Sequence, residues 1–247
     1  MNLQKMLSRL RRGVTQYNMI KDGDKIAVGI SGGKDSLALL KLLAEYQRFS
    51  TEKYSLVAIS IDLNFKNHKS DYSKIQEFCD QYNIPYIVEK TDIAEIVFEI
   101  RKETNPCSLC SKMRKGALYD VAVKNGCNKV AIGHHADDLI DTFILSLFYE
   151  GRLSTFAPKS FLSKSNLVLI RPMVMIKENE IKGFAKDLPV IESACPANKN
   201  TKREYAKKFL DFVQQDVSNI KEMIFTALTH PERYNLFDKV EKSKDEF

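Results

Sequence analysis

The chain has 247 residues, of which 44% are hydrophobic and 28% charged, and a formal net charge of +6. That balance fits a soluble globular protein and excludes both a charge-rich disordered chain and one built of apolar spans. No apolar run approaches the roughly 20 residues of a membrane helix. The basic, amphipathic start "MNLQKMLSRLRRG" lacks a signal-peptide core, so the expected location is the cytoplasm, with no membrane partner.

Taken in chain order, residues 2–20 place Leu3, Met6, Leu7, Leu10, Val14 and Tyr17 at helical spacing, predicting a basic N-terminal helix. "KDGDK" is a turn, and "KIAVGI" a short, buried β-branched strand. Ser36–Tyr46 is leucine-rich and helical. "YSLVAISI" is a second strand, "DYSKIQEFCDQYN" a second helix of the alternating series, and "IPYIVEK" a third strand. A helix after Cys110 leads to a fourth strand, "CNKVAIGH", and "DDLIDTFILSLFYEG" is a helix stopped by Gly151. "NLVLIRPM" is the fifth strand and "KENEIKGFAKDL" a helix. Residues 199–229 read as helical and basic, and the charged end of the chain as frayed.

Alternating strands and helices predict an α/β, Rossmann-like fold: a five-stranded parallel sheet with helices on both faces. The whole of 1–247 reads as a single domain with a basic helix at about 1–20 and a basic helical extension at about 199–247. Ligands of such sheets bind outside the carboxyl ends of the strands, near a topological switch point. "GISGGKDS" follows the first strand and "GHHADD" the fourth, so the two are expected to meet in one crevice.

Three basic patches suit a polyanion such as RNA. They are Lys5, Arg9, Arg11 and Arg12; then Lys112, Arg114 and Lys115; then Lys199, Lys202, Arg203, Lys207 and Lys208. The five cysteines are an odd count and argue against a disulfide framework. Cys79 and Cys127 fall on a helix and at a strand start, where a small buried hydrophobe is expected. Cys107 and Cys110 have the C-x-x-C spacing that lets two thiolates reach one metal, and Cys195 is a third candidate ligand. Three cysteines leave open a zinc site completed by another residue or an iron–sulfur cluster with one open iron.

"AVGISGGKDSLALL" is a phosphate loop of a particular kind. A Walker A register puts Val28 where a glycine is required and Asp35 where Ser or Thr should follow the lysine, and no third glycine completes a dinucleotide fingerprint. What remains is strand, S-G-G-K-D-S, helix. Gly32 and Gly33 allow a sharp turn and close approach of amides to anionic oxygens. Ser31, Ser36 and the helix N-terminus add donors, and Lys34 adds a positive charge. Asp35 beside phosphate makes sense if a cation bridges the two, which implies Mg²⁺.

"SGGKDS" resembles the loop of the PP-loop ATP pyrophosphatases, which cleave ATP to AMP and pyrophosphate while activating a substrate. The resemblance extends through "PCSLCSKMRKGAL", "AIGHHADDLIDT", "RLSTFAPK", "LIRPM" and "YNLFD", almost the whole chain, and there it is to the tRNA 2-thiocytidine synthetase family. It implies ATP, Mg²⁺ and a [4Fe–4S] cluster held by Cys107, Cys110 and Cys195. It also implies a tRNA anticodon-loop substrate, a sulfur donor such as a cysteine desulfurase, and a homodimer. The reaction implied is adenylation of the C2 oxygen of a cytidine, then its replacement by sulfur. Asp138 joins Asp35 and Lys34 as a catalytic, Mg²⁺- or ATP-site residue. His134 either contacts ATP or caps a helix. Lys159 and Arg171 are candidate contacts to phosphate or tRNA, Arg171 alternatively an ordinary surface residue. One departure is Glu192, which stands where the family usually carries a further cysteine. Other readings are a PP-loop enzyme acting on a different base, a lysidine-type ligase with structural zinc, and a non-catalytic tRNA binder.

Overall fold

The computed structural model describes residues 2–65, 70–102, 106–191, 195 and 202–234. Six strands form one sheet: β1 (Lys25–Ile30), β2 (Ser55–Asp62), β3 (Tyr86–Lys90), β4 (Lys129–Ala131), β5 (Lys159–Leu162) and β6 (Leu167–Ile170). Their order is β3-β2-β1-β4-β6-β5. The first five in that order run parallel, with Ile26 opposite Leu56 on one side and Lys129 on the other. Strand order therefore reverses between β1 and β4, which leaves a crevice at their carboxyl ends.

The sheet has six strands where the sequence predicts five. The extra strand, β5, pairs antiparallel with β6 through a turn that includes Asn166 at φ +53°. Only four residues long and with Phe161 in solvent, it carries neither the apolar run nor the clean alternation that marks a strand. A π-helix at Glu95–Ile100 is a second unanticipated element.

The helices are α1 (Leu3–Gln16), α2 (Lys34–Gln47), α3 (Ser73–Gln81), α4 (Pro106–Lys124), α5 (Ala136–Glu150), α6 (Glu178–Phe184), α7 (Lys202–Val213) and α8 (Ile220–Thr229). The predicted basic tail thus splits into α7 and α8. Its first residues, 199–201, and the expected frayed end beyond 234 lie outside the described residues. Among the described residues, no helix is long and apolar enough to cross a membrane.

Alternation along β1 fixes which helix covers which face. Ile26, Val28 and Ile30 enter the larger core, with α1, α2, α3 and α6. Ala27 enters a smaller core, with Leu118, Val121 and Ala122 of α4. At Gly29, a Cβ would stand 2.9 Å from Leu118 Cδ2, so the missing side chain is what lets α4 lie close. Helix α2 is apolar nearly all round because it is sandwiched between the sheet and α1; Leu37, Leu39, Leu40, Leu42 and Leu43 are each fully buried. Each such leucine contributes about 2 kcal/mol, which anchors the loop that precedes the helix. A third core joins Ile140 and Ile144 of α5 to Ala206 and Leu210 of α7. Cys79 and Cys127 are buried as expected, and burial pushes the Cys79 thiol up to about 12.

Candidate active site

The phosphate loop occupies the turn from β1 to α2. Gly32 has φ +80°, a conformation that favours glycine. The Ser31 amide donates to Ser36 Oγ at 3.1 Å, the Gly33 amide donates to Ser31 Oγ at 3.3 Å, and Ser36 Oγ donates to the Gly33 carbonyl at 2.9 Å. The two serines therefore hold the turn in shape. Gly33 is the N-cap of α2 and supplies no side-chain cap, so the amides opening α2 face the crevice without one.

A second loop presses on this one. At Gly133, a Cβ would lie 2.9 Å from both the carbonyl carbon and the oxygen of Asp35. Only glycine lets the β4–α5 connection come so near, and this role was not legible in "GHHADD". His135 is the N-cap of α5: its backbone N–H donates to Asp138 Oδ2 at 3.0 Å, and its Nδ1 accepts from the Asp138 amide at 3.4 Å. Its buried ring places Nε2 3.3 Å from Asp138 Oδ2 and 3.9 Å from Asp35 Oδ1. The two carboxylates nominated by sequence thus meet at one imidazole. Asp35 Oδ1 is buried and has no hydrogen-bond partner among the described residues. An orphaned carboxylate oxygen is costly unless something supplies positive charge to it.

Charge surrounds this centre. Lys34 Nζ lies 2.9 Å from Asp35 Oδ2 and 3.2 Å from Glu178 Oε1. Glu178, at the start of α6, also approaches Lys182 and Lys207, at 3.4 and 3.7 Å. Burial alone would raise its carboxyl, but Lys207, Lys34 and Lys182 outweigh burial and hold it at about 2. The Asp137 carboxylate accepts the Glu178 amide at 2.6 Å, tying α6 to α5. Arg203 of α7 reaches Asp138 Oδ1 at 3.0 Å. Sequence reasoning missed Glu178; "KENE" carries the acidic first turn of any helix, and only tertiary packing turns it toward Lys34.

His134, Arg171 and Lys159 have other duties. His134 stacks on Phe156 at 4.8 Å and its Nδ1 accepts from Arg171 Nε at 3.1 Å. Burial, with Arg171, Arg203 and Lys115 nearby, lowers His134 to about 4 despite the opposing pull of Asp138, so its ring is neutral near pH 7. Arg171 is itself buried, over the Phe156 ring, so it is not the surface residue that a strand end suggests. Lys159 is not brought to the loop: its Nζ donates to the Asn18 carbonyl, and its electrostatic neighbours are Lys129, Lys21 and Asp24.

The cysteines converge from two distant stretches. Cys107 and Cys110 lie in the first turns of α4, one exposed and one half-buried, and Cys195 is half-buried. Burial raises the Cys110 thiol and Arg114 opposes it, while Cys195 and Cys107 are both near enough to act on it electrostatically and raise it further. Lys115 in turn senses Arg171, Arg114 and Arg203, which joins the thiol group to the His134–Asp138 side of the crevice. Among the described residues no three His, Cys, Asp or Glu side chains are gathered tightly enough to hold a metal as they stand. Ile191 is fastened to the phosphate loop, its amide donating to the Gly32 carbonyl at 2.9 Å. Beside the loop, a cleft of about 640 Å³ opens between α1, α5, α6 and α8, with Arg9, Arg12, Asp137 and Glu178 in its walls. Arg9 and Lys5 of the first basic patch pair with Glu180, at 3.0 and 3.6 Å.

A PP-loop domain family matches residues 4–211, so fold and loop together define a PP-loop protein. The chain is 34% identical over 237 residues to a tRNA-cytidine(32) 2-sulfurtransferase of Citrifermentans bemidjiense, covering 94% of this chain and 92% of that protein. It is 35% identical over 240 residues to the tRNA-cytidine(32) 2-sulfurtransferase of Geobacter sulfurreducens, covering 95% and 93%. The chain belongs to the tRNA-cytidine(32) 2-sulfurtransferase family. Among solved structures, the U34-tRNA thiolase NcsA from Methanococcus maripaludis, determined with its [4Fe-4S] cluster, shares the fold. The TM-score is 0.75, with 24% identity over 94% of this chain and 80% of that one.

Proposed function

We propose that the protein is an ATP-dependent tRNA sulfurtransferase that replaces the C2 oxygen of a cytidine with sulfur. The observation that carries this reading is that Cys195, which acts electrostatically on Cys110, lies four residues beyond Ile191, whose amide is bonded to Gly32 of the phosphate loop. A phosphate loop alone fits any nucleotide enzyme, and a thiol group alone fits a structural metal. Their union fits a reaction in which ATP activates an oxygen and sulfur displaces it. The activity of the family members named above supports the choice of tRNA and of cytidine.

The residues divide the work by position. The Gly32, Gly33 and α2 amides, with Lys34, bind the pyrophosphate side of ATP and stabilise charge as the α–β bond breaks. The target oxygen attacks the α-phosphorus and pyrophosphate leaves; a sulfide-level sulfur then adds to C2 and AMP leaves with the original oxygen. The orphaned Asp35 oxygen, with Asp138 across the same imidazole, is a hard oxygen donor set that fits Mg²⁺, which when bound would neutralise the phosphates. His135 holds both carboxylates in place. Glu178 keeps Lys34 aimed at the loop. Cys107, Cys110 and Cys195 would hold a [4Fe–4S] cluster, and Arg114 partly offsets the burial that raises the Cys110 thiol. That cluster would supply an open iron for sulfide delivered by a donor protein. The basic extension α7–α8 and helix α1 flank the crevice as the tRNA-facing part of the molecule.

The test is anaerobic reconstitution with iron and sulfide, followed by incubation with unmodified tRNA, ATP, Mg²⁺ and excess sulfide. Nucleoside mass spectrometry should show a gain of 2-thiocytidine stoichiometric with AMP. Full turnover by colourless, zinc-only protein, or a different thiolated base, would refute the proposal.

A further inference from the structure

We propose that Tyr149, at the end of α5, and Tyr205, in the first turns of α7, form a stacking platform for unpaired bases of a single-stranded RNA loop. The inference rests on the tRNA-directed function above and says where on the molecule the loop is gripped.

Both rings are half in water, at 50% and 53% exposure, and Phe148 and Phe212 beside them are exposed at 45% and 66%. Aromatic side chains left in solvent on adjoining helices need a reason, since nothing in the fold of the described residues requires them there. The two tyrosine rings meet edge to face, with centroids 6.4 Å apart and planes at 73°. Phe148 is braced likewise on Phe209, at 4.9 Å. The platform is therefore pre-ordered and loses little freedom on binding. Lys202 Nζ stands 4.4 Å over the Tyr149 ring, a cation–π contact that sets a positive charge within the aromatic patch.

Charge decides the occupant. Within three positions of the two tyrosines along the chain, Arg152, Lys202, Arg203 and Lys208 are exposed, against Glu150 and Glu204. Lysines capping and ringing an aromatic patch suit a polyanion with planar bases, whereas the core of a protein–protein contact is depleted in lysine. The basic trail also leads to the active site. Lys202 covers Tyr149 while its neighbour Arg203 pairs with Asp138 at the other end of α5. Tyr149 lies eleven positions after Asp138 on one helix, which is roughly 16 Å at the helical rise. At roughly 3.4 Å per stacked base, that distance is spanned by about five nucleotides, and by fewer in an extended strand. A base on Tyr149 and a target base in the crevice can therefore belong to one loop.

The chain has no tryptophan, so Tyr149→Trp installs a single fluorescent reporter that still stacks. Its emission should fall when an unmodified RNA hairpin with an unpaired loop is added, and stay level with a blunt RNA duplex of the same length. The double variant Tyr149→Ala, Tyr205→Ala should bind the hairpin about 10- to 100-fold more weakly by fluorescence anisotropy. Its salt dependence should be unchanged, because no phosphate contact is lost, and its ATP affinity should equal that of the parent. Wild-type hairpin affinity in the double variant, or a silent reporter despite binding, overturns the proposal. So does self-association that the double variant abolishes while hairpin affinity holds, which would assign the patch to a second copy. Failure of the parent protein itself to bind the hairpin overturns the tRNA-directed function, a result distinct from failure of the variants alone.

Discussion

The two ends of the parallel sheet treat charge in opposite ways. At the amino end, Asp24 and Lys129 are each only 4% exposed and are bonded to each other. Every polar neighbour is matched: Lys129 Nζ donates to the Met19 carbonyl at 2.9 Å, Asn128 Nδ2 to Asp24 Oδ1 at 2.8 Å, and the Lys25 amide to Asn128 Oδ1 at 2.9 Å. At the carboxyl end, Asp35, Lys34, Asp138 and Arg203 are partly open, and one Asp35 oxygen is unmatched. A closed network fixes the strand starts of β1 and β4 in register, and gains nothing from a ligand. An open one holds charge that the fold alone does not satisfy. The same sheet thus separates rigidity from reactivity by about one strand length.

That contrast can be broken from either side. The largest effect is expected at the closed end: Lys129→Met leaves Asp24 buried without its cation and should cost about 3–5 kcal/mol in urea unfolding. At the open end, Asp35→Asn should leave unfolding unchanged or slightly more favourable to the native state, yet lower AMP formation by about 100-fold or more. Equal stability losses in both variants would erase the distinction. Gly133→Ala should lie between them, because its methyl collides with the Asp35 backbone: about 1–3 kcal/mol of stability, with weaker ATP binding by calorimetry. The smallest effect is on pH. The folded His134 pKa is depressed to about 4, below the ordinary value of about 6.5. Its neutral ring therefore stabilises the fold above about pH 6.5, and that contribution fades as pH falls toward 4. Partial solvent access keeps this to about 1 kcal/mol. His134→Gln should flatten that part of the stability-versus-pH curve.

How much of this was legible in the sequence depends on how local each cause is. The loop Ser31–Ser36 was readable because strand, glycines and helix start are contiguous, and the parallel strands because buried β-branched runs stand out. Strand β5 was not, since its four residues pair only with β6 and carry no pattern of their own. The pairing of Cys110 with Cys195, 85 positions on, rested on resemblance, because spacing says nothing about which distant segments the sheet brings together. Arg171 and Lys159 looked alike as candidate contacts to phosphate or tRNA. Phe156 and His134 capture one, and the Asn18 carbonyl captures the other. Glu178 and Gly133 drew no notice because their roles exist only once α6 and the β4–α5 turn close on Lys34 and Asp35.

The bond from the Ile191 amide to the Gly32 carbonyl has a consequence beyond holding the turn. Cys195 follows four residues later, and four residues fully extended reach at most about 14 Å. The bond is therefore a short leash: while it holds, the Cys195 backbone cannot drift farther than that from Ile191 and the turn it is bonded to. Its local concentration there is in the millimolar range or above, whatever the protein concentration in solution. A displacement of the Gly32 turn is therefore passed along the chain toward Cys195 within four residues, and the Ile191 side chain, which lies against Gly32, adds to that link.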